Sequence, residues 1–192
     1  YCALNNDQAE ETFKISIFRY LYNKYFHFKN KNTKAQAKKN ISHHYDLGNQ
    51  FYKYWLDNSM TYSSAIFNSE SDNLELAQNN KYKRLAELSS IKNGDNILEI
   101  GCGWGGFSEF LAKNYNTQIT ALTISREQFQ FATKRIEKAN LTSKVKVVFC
   151  DYRNIEGQFD KILSIEMFEA VGKDYWSTFF EKIKSILKPN GS

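Results

Sequence analysis

The chain is short of the residues that staple or stiffen a fold. Of 192 residues only one is proline, Pro189, and three are cysteine, Cys2, Cys102 and Cys150. An odd cysteine count without C-x-x-C spacing speaks against a disulfide framework and against a zinc cluster, and makes a reducing cytosol the default compartment. No apolar run approaches the roughly 18–20 residues that cross a bilayer, and the start lacks the basic, apolar and small-residue order of a signal peptide. The sequence opens on Tyr1 rather than methionine and closes on Lys188-Pro-Asn-Gly-Ser192, a turn leading onward, so a fragment cut at both ends is expected. What is present, 42% hydrophobic and 16% aromatic residues with a net charge of +5, suits one globular domain with an appendage.

Acidic residues are missing from one stretch. Between Lys14 and Lys39 stand eight basic residues and no acidic one, leaving net −3 for the rest of the chain. Phe13, Ile17, Phe18, Leu21, Tyr25 and Phe28 recur there at three- and four-residue steps, the period of a helix with an aromatic-rich apolar face. A basic amphipathic helix fits an anionic membrane surface. It fits equally a surface helix packing on an upstream region, followed by a solvated Lys/Asn linker over residues 29–40. No nucleic-acid reading module accompanies the basic stripe, so no nucleic-acid partner is expected.

Residues 41–67 are dense in Tyr, His, Asn and Ser without a long period, as in a segment that lines or covers a site. A helix is predicted over 74–90, closed by the turn Lys92-Asn-Gly-Asp95. Short apolar runs then alternate with helical stretches: strands at 96–100, 118–124, 145–150 and 159–165, and helices at 106–115, 126–139 and 175–187, the last stopping before Pro189. This alternation predicts an α/β fold with a doubly wound, mostly parallel sheet, truncated after the fourth strand. The expected division is an end region and basic linker at 1–40, a helical and loop cover at 41–90, and the first half of a ligand-binding domain at 91–192.

Four of the nine glycines, Gly101, Gly103, Gly105 and Gly106, follow the first strand and open a helix. Glycine lets a ligand approach the backbone, and the helix start offers unpaired N–H groups. The spacing satisfies G-x-G-x-x-G, so a dinucleotide has to be considered. A dinucleotide site places an acid at the end of the second strand to hold the ribose, yet that strand end, Ile119 to Ser125, has none. An acid instead precedes the first glycine, in Glu99-Ile-Gly-Cys-Gly-Trp-Gly105, and another follows the third strand at Asp151. This resembles class I S-adenosylmethionine-dependent methyltransferases, in which the first acid lies near the cofactor's amino-acid end and the second near the adenine.

Seven blocks in order resemble the cyclopropane-fatty-acyl-phospholipid synthases and their mycolic acid cyclopropane synthase relatives. They are Asn40 to Asn49 with Phe51-Tyr52, Leu56-Asp57, Met60-Thr-Tyr-Ser-Ser-Ala65, Leu98 to Gly106, Leu122-Thr-Ile-Ser-Arg-Glu-Gln128, Asp151-Tyr-Arg153 and Ile165-Glu-Met-Phe-Glu-Ala-Val-Gly172. The resemblance implies S-adenosylmethionine as cofactor, held by Tyr62, Ser63, Glu99, Gly101, Cys102, Gly103, Trp104, Gly105, Thr123, Ser125, Gln128, Asp151, Tyr152 and Arg153. Gln128 takes the part of the missing ribose acid. Tyr45 and Tyr62 are expected near the sulfonium, because an aromatic face attracts a cation.

The implied chemistry is methyl transfer to the cis double bond of an unsaturated phospholipid acyl chain, passing through a carbocation to a cyclopropane ring. Relatives hold a bicarbonate ion as proton acceptor through a glutamate, which here falls on Glu169. Glu166, three residues earlier, is expected on the same side of a helical turn and is read as a cap. Ala170 stands where some relatives have His, and Ser64 where some have Cys, so a methyl-branched lipid product or a small-molecule acceptor is the alternative. His43 and His44 are read as structural, and no metal-ligand spacing accompanies them. The expected setting is cytoplasmic, peripheral to the inner face of the membrane; a homodimer is left open.

Overall fold

The computed structural model describes residues 48–192. The basic stretch, the linker, His43, His44 and Tyr45 lie outside the described residues.

The chain enters through a short helix, α1 (Gly48–Tyr52), and an irregular segment before α2 (Leu74–Leu88). The order is then β1 (Asn96–Ile100), α3 (Gly106–Asn114), β2 (Gln118–Thr123), α4 (Arg126–Lys138), β3 (Val145–Phe149), β4 (Lys161–Leu163) and α5 (Trp176–Ile186). Each helix predicted after residue 70 is present. The local reasons are visible at the caps: the Asn73 side chain accepts from the Leu76 amide, and the Ser125 hydroxyl from the Gln128 amide, each satisfying a donor left over in a first turn.

The four strands form one parallel sheet in the order β3-β2-β1-β4. The fourth strand is shorter than its apolar run. Phe159 does not join the sheet ladder but bridges to Leu187, donating its amide to the Ile186 carbonyl and accepting from the Lys188 amide. That bridge ties the strand's approach to the end of α5.

Because successive strand side chains face opposite ways, β1 serves two cores. Ile97 packs with Phe107, Leu111, Ile119, Ala121, Ile136 and Val145 on the α3/α4 face. Leu98 and Ile100 pack with Leu122, Phe159, Val171, Phe179 and Ile186 on the α5 face. Burial on both faces makes the fold α/β and doubly wound. Since β2 and β3 extend to one side of β1 and β4 lies on the other, the chain reverses direction at the carboxyl end of β1, where such sheets place their ligands.

Candidate functional site

A cavity of about 300 Å³ opens at that reversal. Its wall is assembled from the carboxyl ends of all four strands, and the segment between α1 and α2 contributes Met60 to Ser63. Among the expected cofactor residues, Tyr62, Ser63, Glu99, Gly101, Cys102, Gly103, Trp104, Thr123, Gln128, Asp151, Tyr152 and Arg153 line it.

Gly105 and Ser125 do not line it. Ser125 is buried beneath the wall, capping α4. Gly105 has φ +82 and abuts α4, where a Cβ would come 3.1 Å from the Ala132 Cβ. The four glycines therefore have different reasons. At Gly101 a Cβ would lie 2.8 Å from the Met167 Cγ, and at Gly106 it would lie 2.6 Å from the Tyr82 hydroxyl and 3.1 Å from the Ser59 carbonyl. Only at Gly103, with φ +54, would it meet nothing within 4 Å. The Leu122 carbonyl takes both the Gly101 and Cys102 amides, and the Cys102 carbonyl takes that of Gly105. The Gly103 N–H has no hydrogen-bond partner among the described residues.

Glu99 is fully buried on the α3 side of β1 and accepts a hydrogen bond from the Ser108 hydroxyl. Desolvation pushes its carboxyl up to about 7 against the opposing hydrogen bonds from Ser108. Burial also raises the Cys102 thiol, with Glu99 adding to it, so this cysteine is a packed wall group and no nucleophile. At the end of β2 the Thr123 hydroxyl donates to Gln128 Oε1 at 3.0 Å and accepts from the Ser125 amide at 3.1 Å. The carbonyl end of Gln128 is thereby fixed and its Nε2 is left as a donor at the cavity wall. Beyond β3, Arg153 holds the Asp151 carboxylate in a fork, Nε to Oδ1 at 2.8 Å and Nη2 to Oδ2 at 2.6 Å. Asp151 thus comes to the cavity already paired with the guanidinium two residues on.

The cover is aromatic. Tyr52 packs 5.0 Å from Trp104 and 5.5 Å from Tyr62 between ring centroids, and Trp55 lies 5.1 Å from Tyr62. The Trp104 indole N–H donates to Asn49 Oδ1 at 2.6 Å. Arg135 of α4 reaches across to the carbonyls of Ser59 (2.6 Å), Asn58 and Trp104 (both 3.0 Å). One guanidinium thus joins cover, glycine loop and α4.

The glutamates depart from the expected arrangement. Glu166 has φ 48 and precedes the turn Phe168–Ala170, so it shares no helical turn with Glu169. Glu166 lines the cavity, where its Oε1 accepts from the Ser64 amide at 2.9 Å and hydroxyl at 2.7 Å. It links the β4 end to the cover and caps no helix. Glu169 is exposed within that turn, whose neighbours Met167, Ala170 and Val171 line the cavity. Sequence reasoning passed over Gln78 and Lys81 of α2, both buried and both bonded to Ser63; a polar pair within an amphipathic helix carried no signal of its own.

These features fit S-adenosylmethionine. The Gly103 cradle can take a close-packed ligand, the Gln128 amide can donate to ribose hydroxyls, and the aromatic cover can face a sulfonium. The comparisons agree. The sequence model described as Mycolic acid cyclopropane synthetase matches residues 32–192. The cyclopropane-fatty-acyl-phospholipid synthase of Escherichia coli strain K12 is 42% identical over 148 residues, 77% of this chain and 37% of that protein. A tuberculostearic acid methyltransferase of Mycobacterium tuberculosis is 36% identical over 83% of this chain and 39% of its own length. A crystal structure of a mycolic acid cyclopropane synthase complexed with SAH and CTAB superposes with a TM-score of 0.76 at 26% identity, covering 79% of this chain and 53% of that one. This chain therefore spans roughly two fifths of those two relatives and half of the solved chain. With sheet order, glycine loop and family match in accord, the chain belongs to the mycolic acid cyclopropane synthetase family of class I S-adenosylmethionine-dependent methyltransferases.

Proposed function

We propose that the protein of which this chain is part transfers a methyl group from S-adenosylmethionine to the cis double bond of a phospholipid acyl chain and closes a cyclopropane ring. One observation carries the reading: the cavity bounded by the glycine loop continues into apolar and aromatic walls, including Tyr52, Met60, Trp104, Ile165, Met167 and Val171. An acyl chain needs such walls, and so does a carbocation that must not meet water. When bound, the cofactor supplies an electrophilic methyl: the alkene electron pair forms the new C–C bond while the C–S pair departs on sulfur. A base then removes a proton from the added methyl, and the freed C–H pair closes the ring.

This chain's residues divide that work. Gly103 and Gln128 orient the cofactor, and the faces of Tyr52, Tyr62 and Trp104 favour cationic character nearby by about 0.5–2 kcal/mol. We assign Glu169 to holding the proton acceptor, with bicarbonate as the base implied by family resemblance. The turn carrying Glu169 borders the cavity on the side of Met167 and Ala170, which supports that assignment.

The test is incubation of full-length protein with unsaturated phospholipid and cofactor. The expected product is heavier by one methylene unit and shows high-field ring protons in the NMR spectrum. Olefinic methylene or branched-methyl signals would establish instead the second reading, favoured by Ala170 at the cavity wall and by the relative named as a tuberculostearic acid methyltransferase. Transfer to soluble metabolites alone would overturn both. Glu169→Gln is expected to leave cofactor affinity near wild type while product formation falls by a large factor; equal loss of both would reassign Glu169 to structure.

We assign the Lys14–Lys39 stretch to an anionic membrane surface. Among the described residues no helix is long and apolar enough to cross a bilayer, so contact from one side is the arrangement considered. Binding to anionic vesicles should weaken as salt rises, since exposed charges are screened over about 8 Å at physiological ionic strength. Salt-insensitive binding would remove the basic residues from that role.

A further inference from the structure

Lys81 is a buried cation that none of the chemistry above uses. Its side chain runs from α2 beneath the cover segment, 9% exposed, and its Nζ donates to Ser63 Oγ and sits 5.2 Å from the centre of the Tyr82 ring. Among the described residues no carboxylate lies within ion-pair distance of it. Glu166 and Asp57 act on it only through longer-range attraction, and desolvation outweighs them, lowering the amine to about 8. A lysine is held in such a place at a cost in solvation, so its hydrogen bond to Ser63 calls for a reason.

The geometry around Ser63 supplies one. An ammonium has donors only, so Ser63 Oγ must accept from Lys81 and its own O–H must point elsewhere. Gln78 Nε2 fixes the same residue from the other end, donating to the Ser63 carbonyl at 2.8 Å. The next residue, Ser64, has both amide and hydroxyl engaged by Glu166. Ser63 is therefore clamped on either side, its Oγ charged from behind, and its hydroxyl proton has no acceptor among the described residues. Ser63 lines the cavity. A donor polarised by a cation selects an anionic acceptor, and the anionic group of S-adenosylmethionine is the carboxylate of its amino-acid end.

We propose that Lys81 is a positioning residue that acts through Ser63, orienting and polarising the serine hydroxyl to donate to the cofactor carboxylate. The inference rests on the cofactor assignment. Lys81 itself touches neither the cofactor nor the reacting carbons.

Calorimetric titration of full-length protein with S-adenosylhomocysteine and with 5′-methylthioadenosine, which keeps the nucleoside and lacks the amino-acid part, tests it. Lys81→Met should weaken S-adenosylhomocysteine binding about tenfold or more, as expected for a lost hydrogen bond to an ionised group, and leave 5′-methylthioadenosine binding within about twofold. Ser63→Ala should reproduce that selectivity, and the double variant should lose no more than either alone. Lys81→Arg, which keeps the charge, should recover most of the loss. If Lys81→Met does not fold, Ser63→Ala carries the same comparison. Equal weakening of both ligands, or additive losses in the double variant, would overturn the proposal. Failure of the wild-type protein to bind S-adenosylhomocysteine while binding 5′-methylthioadenosine would overturn it as well, and failure to bind either would remove the cofactor assignment beneath it.

Discussion

The cavity has a floor and a cover built on different principles. The floor, from β1 through the glycine loop into α3, is held by backbone ladders and by side chains at 0–5% exposure such as Ile97, Leu98, Cys102 and Phe107. The cover, residues 48–67, leaves Phe51, Tyr54, Trp55, Tyr62 and Phe67 at 44–87% exposure and is held by side chains reaching in from elsewhere: Arg135, Gln78, Lys81, Tyr82 and Glu166. A floor formed mostly of its own hydrophobic surface can be fixed without a ligand. A cover formed of borrowed polar contacts and half-exposed rings can adapt to one.

The contrast predicts a ranking of effects. Leu98→Ala, at the fully buried centre of the floor, should cost roughly 2–5 kcal/mol in a denaturant titration; a cost below about 1 kcal/mol would show the sheet far looser than its packing. Next comes the buried acid. Glu99 is raised from an ordinary 4.5 to about 7, so the folded state holds a proton that the unfolded chain gives up. The stability tied to that proton is full below about pH 4.5 and is lost as pH rises towards 7. Glu99→Gln should gain on wild type across that window, by a difference on the order of 3 kcal/mol at pH 8, and parallel stability curves would refute the shift.

Arg135→Met, which cuts the link between the two regions, should cost roughly 2 kcal/mol, since its guanidinium bonds three carbonyls. It should also weaken S-adenosylhomocysteine binding; unchanged affinity would mean that the cover holds its place without α4. Trp55→Ala should cost about 1 kcal/mol or less yet lower turnover on lipid substantially. A larger loss of stability than of turnover would dissolve the distinction between floor and cover.

The floor was also the part most readable from sequence. Alternating apolar runs and helical periods gave β1 to β3 and α3 to α5 nearly to the residue, because there local pattern and tertiary burial demand the same thing. The fourth strand came out too long because Phe159 pairs with Leu187 outside the ladder, a contact between chain segments that no local pattern contains. The site divides the same way. Glu99 and Gly103 are legible from the acid-and-glycine motif at the end of β1, and Thr123 and Gln128 from the family resemblance of the block running from the end of β2 into α4; all four line the cavity. Lys81, Gln78 and the bond from Ser64 to Glu166 are not legible, since each depends on a long-range meeting of the cover with α2 or the β4 turn. The three-residue spacing of Glu166 and Glu169 predicts a shared helical turn, and the left-handed backbone of Glu166 removes it from that turn.

In a saturation mutagenesis screen the glycine motif would not behave as one unit. Substitutions at Gly101, Gly105 and Gly106 push side chains into Met167, Ala132 and Tyr82, and such variants should be depleted wherever the readout is soluble, folded protein. At Gly103 an added methyl group points into open space, and the left-handed backbone (φ +54) costs a non-glycine residue about 1–2 kcal/mol, so small-residue variants should be depleted less than those at the other three glycines in an abundance selection and fail one for cofactor capture. The string Gly-Cys-Gly-Trp-Gly-Gly records three constraints of assembly and one of recognition.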